Sequence, residues 1–277
     1  MPKRRPLHFA LFLLFCGGGG ALFLRLRVAP PPAPPPLFLG RNSIPESMCD
    51  PAYLAMVVVK GADSSTRQLI RETWGHPFHT HMLGLSVAYG VSVDELADLE
   101  SAMFGDLLHL QLGRDGPLDL LQAAREACRR PYFLVMLKKD VFVNTFALVD
   151  FLKDLQKSPL FLQHRNVIWC HLREADHDVS ASNDASGQTH HCLPGAFITV
   201  PSAVDAILLT EHSNNISQTM TSVTGALAKE AGVDLVQMED RLNEKRTIFR
   251  HVDKDDKITR DLWKKLIEGR LRKDGGL

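Results

Sequence analysis

Apolar positions along this chain follow two patterns: short unbroken runs, and residues recurring every three or four places. Tyr53–Val59, Met82–Ala88, Leu107–Leu112, Tyr132–Leu137, Val141–Val143 and Asn166–Cys170 belong to the first. Runs of this length, rich in β-branched and aromatic side chains, predict strands buried on both faces of an α/β sheet. The second pattern predicts helices over Arg67–Gly75, Asp94–Phe104, Leu120–Cys128 and Phe146–Leu155. Leu96, Leu99 and Met103 share one helical face, as do Phe146, Val149, Leu152 and Leu155. Ser64 to Thr66 offer N-caps for the first helix. The polar, Ser/Asn-rich stretch His171–Gln188 predicts a loop. Helices between strands, with no internal repeat, predict one α/β domain.

Ahead of that domain, Met1–Pro6 is basic and Leu7–Leu24 is apolar apart from His8. Its length is at the short end of a membrane span. Basic residues on the N-terminal side favour a cytoplasmic N-terminus. The expected organisation is a cytoplasmic tail (1–6), a signal-anchor transmembrane helix (7–26), a Pro-rich stem (27–49) and a lumenal domain (50–277). The stem is built on the extended polyproline run Val28–Leu37. A cleaved signal peptide is the alternative, and it too delivers the domain to the secretory lumen. Cysteine usage agrees: Cys49, Cys128, Cys170 and Cys192 can form two disulfides, in a pairing the sequence leaves open. No Cys-x-x-Cys occurs, which argues against a zinc cluster. Asn215-Ile-Ser217 is a glycosylation sequon. Across 277 residues, Lys plus Arg equals Asp plus Glu at 32 each, so no net field draws the chain to nucleic acid.

The chemistry concentrates at Pro131–Asn144. The apolar run Tyr132–Leu137 stops at Lys138, Lys139 and Asp140, and Val141-Phe-Val143 follows. Charges ending such a strand lie where open α/β sheets bind ligands, outside the carboxyl edge. This stretch resembles the strand-and-acid motif of the β-1,3-galactosyltransferase / β-1,3-N-acetylglucosaminyltransferase family. There, Lys-x-Asp-Asp-Asp-Val-Phe-Val holds a divalent metal against the diphosphate of a UDP-sugar. Aligned on Asp140-Val-Phe-Val143, the third Asp is Asp140, the first two are Lys138 and Lys139, and the upstream Lys is Met136. Arg67-Gln-Leu-Ile-Arg-Glu-Thr-Trp-Gly75 is similar to the family's Arg-x-x-Ile-Arg-x-Thr-Trp-Gly, the most specific match. Glu100 and Asp106 match its acids before an aliphatic pair. Its Asn-Leu-Thr-Leu-Lys corresponds to Leu118–Gln122, which has no lysine. His191–Thr199 resembles its acceptor-side turn and strand, with Cys192 and Gly195 kept. Counting on without a gap places Met220 and Thr221 where the family carries the Glu-Asp pair that supplies the catalytic acid. Phe249-Arg-His251 and Trp263 resemble its C-terminal His and Trp. The resemblance covers most of residues 50–265.

The resemblance implies a GT-A-like, Rossmann-type mixed sheet flanked by helices behind the membrane anchor. It implies a Golgi type II membrane protein transferring galactose or N-acetylglucosamine from a UDP-sugar to a glycan acceptor, in β-1,3 linkage with inversion. By the same token Arg67, Arg71, Lys138, Lys139 and Asp140 would meet the nucleotide-sugar, Asp140 and His251 would hold Mn2+ or Mg2+, and Thr221 sits at the base position. Threonine is no base at neutral pH, so a carboxylate such as Glu211 or Asp240 would have to serve. Two lysines beside Asp140 repel a divalent cation, which weighs against efficient metal-dependent turnover. Three readings stand open. The chain is an active transferase with Lys138 or Lys139 as a fixed cation in place of the metal; or an inactive relative acting as a lumenal binding or chaperone-like partner of another glycosyltransferase; or an unrelated α/β domain with a solvated lysine edge. Arg67 and Arg71, four residues apart, share a helical face and read either as diphosphate forks or as the polar side of a packed helix. His251 reads equally as a packed or solvated histidine, and Trp74, Trp169 and Trp263 read as core.

Overall fold

The run that ends at Lys60 stays inside the protein until its last residue: β1 (Ala55–Lys60) is buried from Ala55 to Val59, and β4 (Phe133–Lys138) repeats the pattern. Such two-sided burial requires cover on both faces. The computed structural model describes Cys49 and residues 53–92, 95–110, 116–128, 131–163, 166–174, 190–211, 223–238, 247–252 and 256–273. Within them β1, β2 (Leu85–Ser92), β3 (Leu107–Leu110), β4, β6 (Val167–Glu174), β7 (His190–Thr199) and β8 (Asp234–Gln237) form a seven-stranded sheet in the order β3-β2-β1-β4-β7-β6-β8. β1 to β4 are parallel, β7 is antiparallel to β4 and β6, and β8 is parallel to β6. The α/β expectation holds in this form: a mixed, mostly parallel sheet flanked by helices. β5 (Val141–Val143) and β9 (Phe249–His251) pair apart from it as an antiparallel ribbon.

The covering helices are α1 (Ser64–Glu72), α2 (Pro77–Met82), α3 (Glu95–Phe104), α4 (Pro117–Ala127), α5 (Thr145–Gln156), α6 (Pro159–Leu162) and α7 (Pro201–Glu211). Further on, a π-helical segment (Val223–Leu227) runs into α8 (Ala228–Glu230), and α9 (Asp256–Lys273) follows β9. Three sequence expectations are corrected. The cap of α1 is Asp63, whose carboxylate accepts the Thr66 N–H at 2.8 Å, so Ser64–Thr66 lie inside the helix. The strand expected from Met82 starts at Leu85, because Pro77 opens α2 and Gly84, at φ 70°, turns the chain after it. His171–Glu174, expected in a loop, extend β6 alongside β7.

The strongest motif of the sequence, Arg67–Gly75, is accounted for by packing. Ile70 and Trp74 are buried in the core, and the Thr73 hydroxyl donates to the Leu69 carbonyl at 2.7 Å. Gly75 closes on Ile70: its N–H donates to the Ile70 carbonyl at 2.9 Å, and a Cβ there would lie 2.5 Å from Ile70 Cγ2. A β-branched side chain cannot swing that methyl aside. Gly75→Ala is therefore expected to cost about 1–3 kcal/mol, read as a lowered urea midpoint with unchanged slope.

Cys49 bonds Cys128, tying the segment before β1 to the end of α4, and Cys170 bonds Cys192 across β6 and β7. Trp74 and Trp169 are buried and Trp263 packs partly buried against the core, as expected. Among the described residues no helix is long and apolar enough to cross a membrane. The expected tail and anchor, all of the stem but Cys49, the sequon at Asn215, Thr221 and Asp240 lie outside the described residues, as does the side chain of Glu211.

Candidate functional site

The chain steps from β1 through β2 to β3, then returns to β4 on the other side of β1. Such a reversal opens a crevice outside the carboxyl ends of the strands. Lys60 and Lys138 are the last residues of β1 and β4 and are direct partners across the ladder. The Lys139 N–H donates to the Lys60 carbonyl at 3.1 Å, so the three lysines sit together at the reversal. Lys60 was not anticipated; the signal was a charge ending the apolar run Tyr53–Val59, as Lys138 ends Tyr132–Leu137. Beside it opens a cleft of about 710 Å³, whose lining includes Lys60, Asp63, Arg67, Ser92, Glu100 and Phe104. Asp63 is held down to about 2, first by the Thr66 N–H, then by the Ser65 hydroxyl, with the Lys139 charge adding little. Lys139 Nζ lies 4.0 Å from this carboxylate.

Arg67 and Arg71 line the same cleft, but their charges are met from within the protein. Arg67 forks onto Glu100, with Nε to Oε1 at 2.8 Å and Nη2 to Oε2, and donates from Nη1 to the Ala62 carbonyl at 2.7 Å. Arg71 forks onto Asp106 at 2.7 and 2.6 Å and reaches Glu100 Oε1 at 2.7 Å. Its guanidinium carbon lies 4.0 Å from the Phe104 ring centre and 5.0 Å from that of Tyr89. Burial draws the Arg71 pKa down, yet the hydrogen bonds and charges of Asp106 and Glu100 prevail and the net shift is upward. The Arg67 hydrogen bond, against burial and helped by Arg71, holds Glu100 below its usual range. Burial, then Asp106, pushes the Tyr89 phenol up. Two cations and two anions thus cancel, fixing α1 to α3 and to the start of β3. Glu100 and Asp106 were recognised in the sequence as matches to a pattern; their bond to the arginines was not.

On the β4 side, the β5–β9 ribbon carries His251 to Asp140. Val141 pairs with His251, and the Val252 N–H donates to the Asp140 carbonyl at 2.8 Å. His251 Nδ1 then stands 3.3 Å from Asp140 Oδ2, with the imidazole largely exposed. Asp140 Oδ1 is buried and, among the described residues, has no hydrogen-bond partner. A Cβ on Gly195 would lie 3.9 Å from Val141 Cγ2, and one on Gly225 3.3 Å from the Cβ of His191. Gly195 thus lies beside the residue that follows Asp140, and the π-helical segment packs at Gly225 against the start of β7; the turn expected in His191–Thr199 is instead continuous strand.

The described residues do not fit Mn2+ or Mg2+. These ions take about six oxygen ligands. Among the described residues no group of three His, Cys, Asp or Glu could hold a metal. Asp140 and His251 face each other, and the positions of the other two acids are Lys138 and Lys139. What the edge offers is fixed positive charge, an oriented imidazole and a cleft.

No family model matches this sequence, and no curated protein does. Among solved structures the chain is similar to 4-diphosphocytidyl-2C-methyl-D-erythritol synthase from Anaerococcus prevotii at 10% identity, covering 78% of this chain and 98% of that one, with a TM-score of 0.43. It is similar also to CMP:2-keto-3-deoxy-manno-octonic acid synthetase complexed with CTP, at 8% identity, 66% and 89% coverage and a TM-score of 0.39.

Proposed function

We propose that this chain is a divergent hexosyltransferase of the β-1,3-galactosyltransferase / β-1,3-N-acetylglucosaminyltransferase type, anchored as a type II protein in the Golgi membrane, that binds a UDP-sugar and transfers its hexose to a glycan acceptor with inversion. One observation carries the reading: Lys60, Lys138, Lys139 and the Asp140–His251 pair meet at the reversal of the sheet, beside a cleft. Ligands of open α/β sheets bind at that place. The motif resemblance suggests the sugar and linkage class, and the two disulfides suit an oxidising lumen. In the transfer, the acceptor oxygen bonds the anomeric carbon while the bond to UDP breaks, its electron pair leaving with the diphosphate. The lysines neutralise that leaving charge. The acceptor proton goes to His251, whose Nδ1 is turned to Asp140, leaving Nε2 as the base.

Calorimetric titration of the lumenal part with UDP, with and without manganese, tests the reading, followed by assay of sugar release from UDP-galactose and UDP-N-acetylglucosamine. Micromolar UDP binding with release of either sugar is expected; absence of nucleotide binding under both conditions overturns the proposal. A second reading, an inactive lumenal partner of another glycosyltransferase, is favoured by Lys138 and Lys139 standing where the resembled motif carries two of its metal-holding acids. UDP binding without any sugar transfer would select it.

A further inference from the structure

In parallel strands, residues in register project their side chains to the same face of the sheet, with the strands about 4.8 Å apart. Lys60 and Lys138 are such a pair, the last residues of β1 and β4 and both half-buried. Like charges directly opposite one another are destabilising. Lys139 follows at the turn, its N–H donating to the Lys60 carbonyl and its Nζ lying 4.0 Å from Asp63 at the start of α1. The acids within reach are engaged: Asp63 caps α1 and faces Lys139 at 4.0 Å, and Asp140 faces His251 at 3.3 Å. Arg67 and Arg71 are neutralised by Glu100 and Asp106. Among the described residues, nothing forms an ion pair with Lys60 or Lys138.

We infer that Lys60, Lys138 and Lys139 form a diphosphate site that needs no divalent cation. The inference rests on the nucleotide-sugar reading for its ligand, but its chemistry is separate: lysine ammonium groups gathered at two adjoining strand ends take the place of a metal and its carboxylates. An ammonium donates up to three hydrogen bonds as a compact charge, suited to phosphate oxygens. The repulsion held in the ligand-free pair is relieved when the anion enters between the two strand ends. Lys60 contributes from a strand the family-like motif does not include, so the site is built by the sheet and not by one segment.

The test is titration with UDP, inorganic pyrophosphate and uridine in excess EDTA, and with UDP in manganese. Expected are equal UDP affinities in the two buffers, pyrophosphate binding in EDTA that weakens with salt, and no binding of uridine. Lys60→Met and Lys138→Met should each weaken UDP and pyrophosphate on the order of tenfold or more. Their ligand-free Tm should stay level or rise by about 1–4 °C, because each removes one of two opposed charges. Lys60→Arg and Lys138→Arg, which keep the charge, should retain binding if a methionine variant folds poorly. UDP binding only with manganese, or methionine variants that fold and bind like wild type, would sink the inference and leave the proposed function standing. Pyrophosphate binding with UDP no tighter would keep the anion site and remove the nucleotide. If neither binds, both fall.

Discussion

An Arg71→Met variant is expected to lose about 3–5 kcal/mol of stability, a fall in Tm of roughly 10 °C for a domain of this size. Arg71 is buried, forks onto Asp106 and reaches Glu100, while its guanidinium lies between Phe104 and Tyr89. Methionine keeps much of the contact with the two rings but leaves Asp106 without its bidentate partner and Glu100 with Arg67 alone. A carboxylate stripped of its cation inside a protein carries the desolvation penalty unoffset. Adding Asp106→Asn should recover part of the loss, since it removes the stranded charge. Thermal denaturation of the single and double variants measures both. A loss below about 1 kcal/mol for Arg71→Met would mean that solvent already screens the cluster. The arginines would then be available to a diphosphate after all.

Removing the Cys49–Cys128 bond by Cys49→Ala/Cys128→Ala should cost about 4.5 kcal/mol, against about 3.4 for Cys170→Ala/Cys192→Ala. The difference follows from loop length, 79 residues of separation against 22, because the longer loop restricts the unfolded chain more. Both figures follow from the entropy each bond removes from the unfolded chain, so the longer loop leads. Urea unfolding of the two double variants beside wild type checks it, and a larger loss for the shorter loop would show that the bonds act through the folded state instead.

Much of this architecture could be read from residues alone where a segment is apolar on every side. β1, β4 and β5 were each visible as unbroken runs, and α5 as an amphipathic stripe whose Val149, Leu152 and Leu155 are buried. α2 escaped because six residues, with Phe78 and Met82 exposed, present no buried stripe. β8 and β9 escaped because their few residues mix polar with apolar and stay partly exposed, unlike the equally short but wholly apolar and buried β5. α9 was within reach: Leu262, Trp263 and Leu266 recur at helical spacing and pack against the core. Of the site, Lys138, Lys139 and Asp140 were legible as charges ending a strand. The nearness of His251 to Asp140 was suggested only by resemblance, since nothing local forecasts which strand will pair with β5. The partnership of Lys60 with Lys138, and of the arginines with Glu100 and Asp106, depends on sheet order and helix placement. Those are set by the whole core.

The β5–β9 ribbon has a consequence for biosynthesis. Asp140 emerges from the ribosome well before the strand that brings it His251, while the sheet around β1 to β4 can already begin to close. A nascent chain halted ahead of Phe249 would hold the lysine edge but lack the imidazole beside it. The pairing is therefore completed only after β9 has been made, and a message cut short ahead of Phe249 yields a chain that keeps Lys60, Lys138 and Lys139 but lacks His251 beside Asp140.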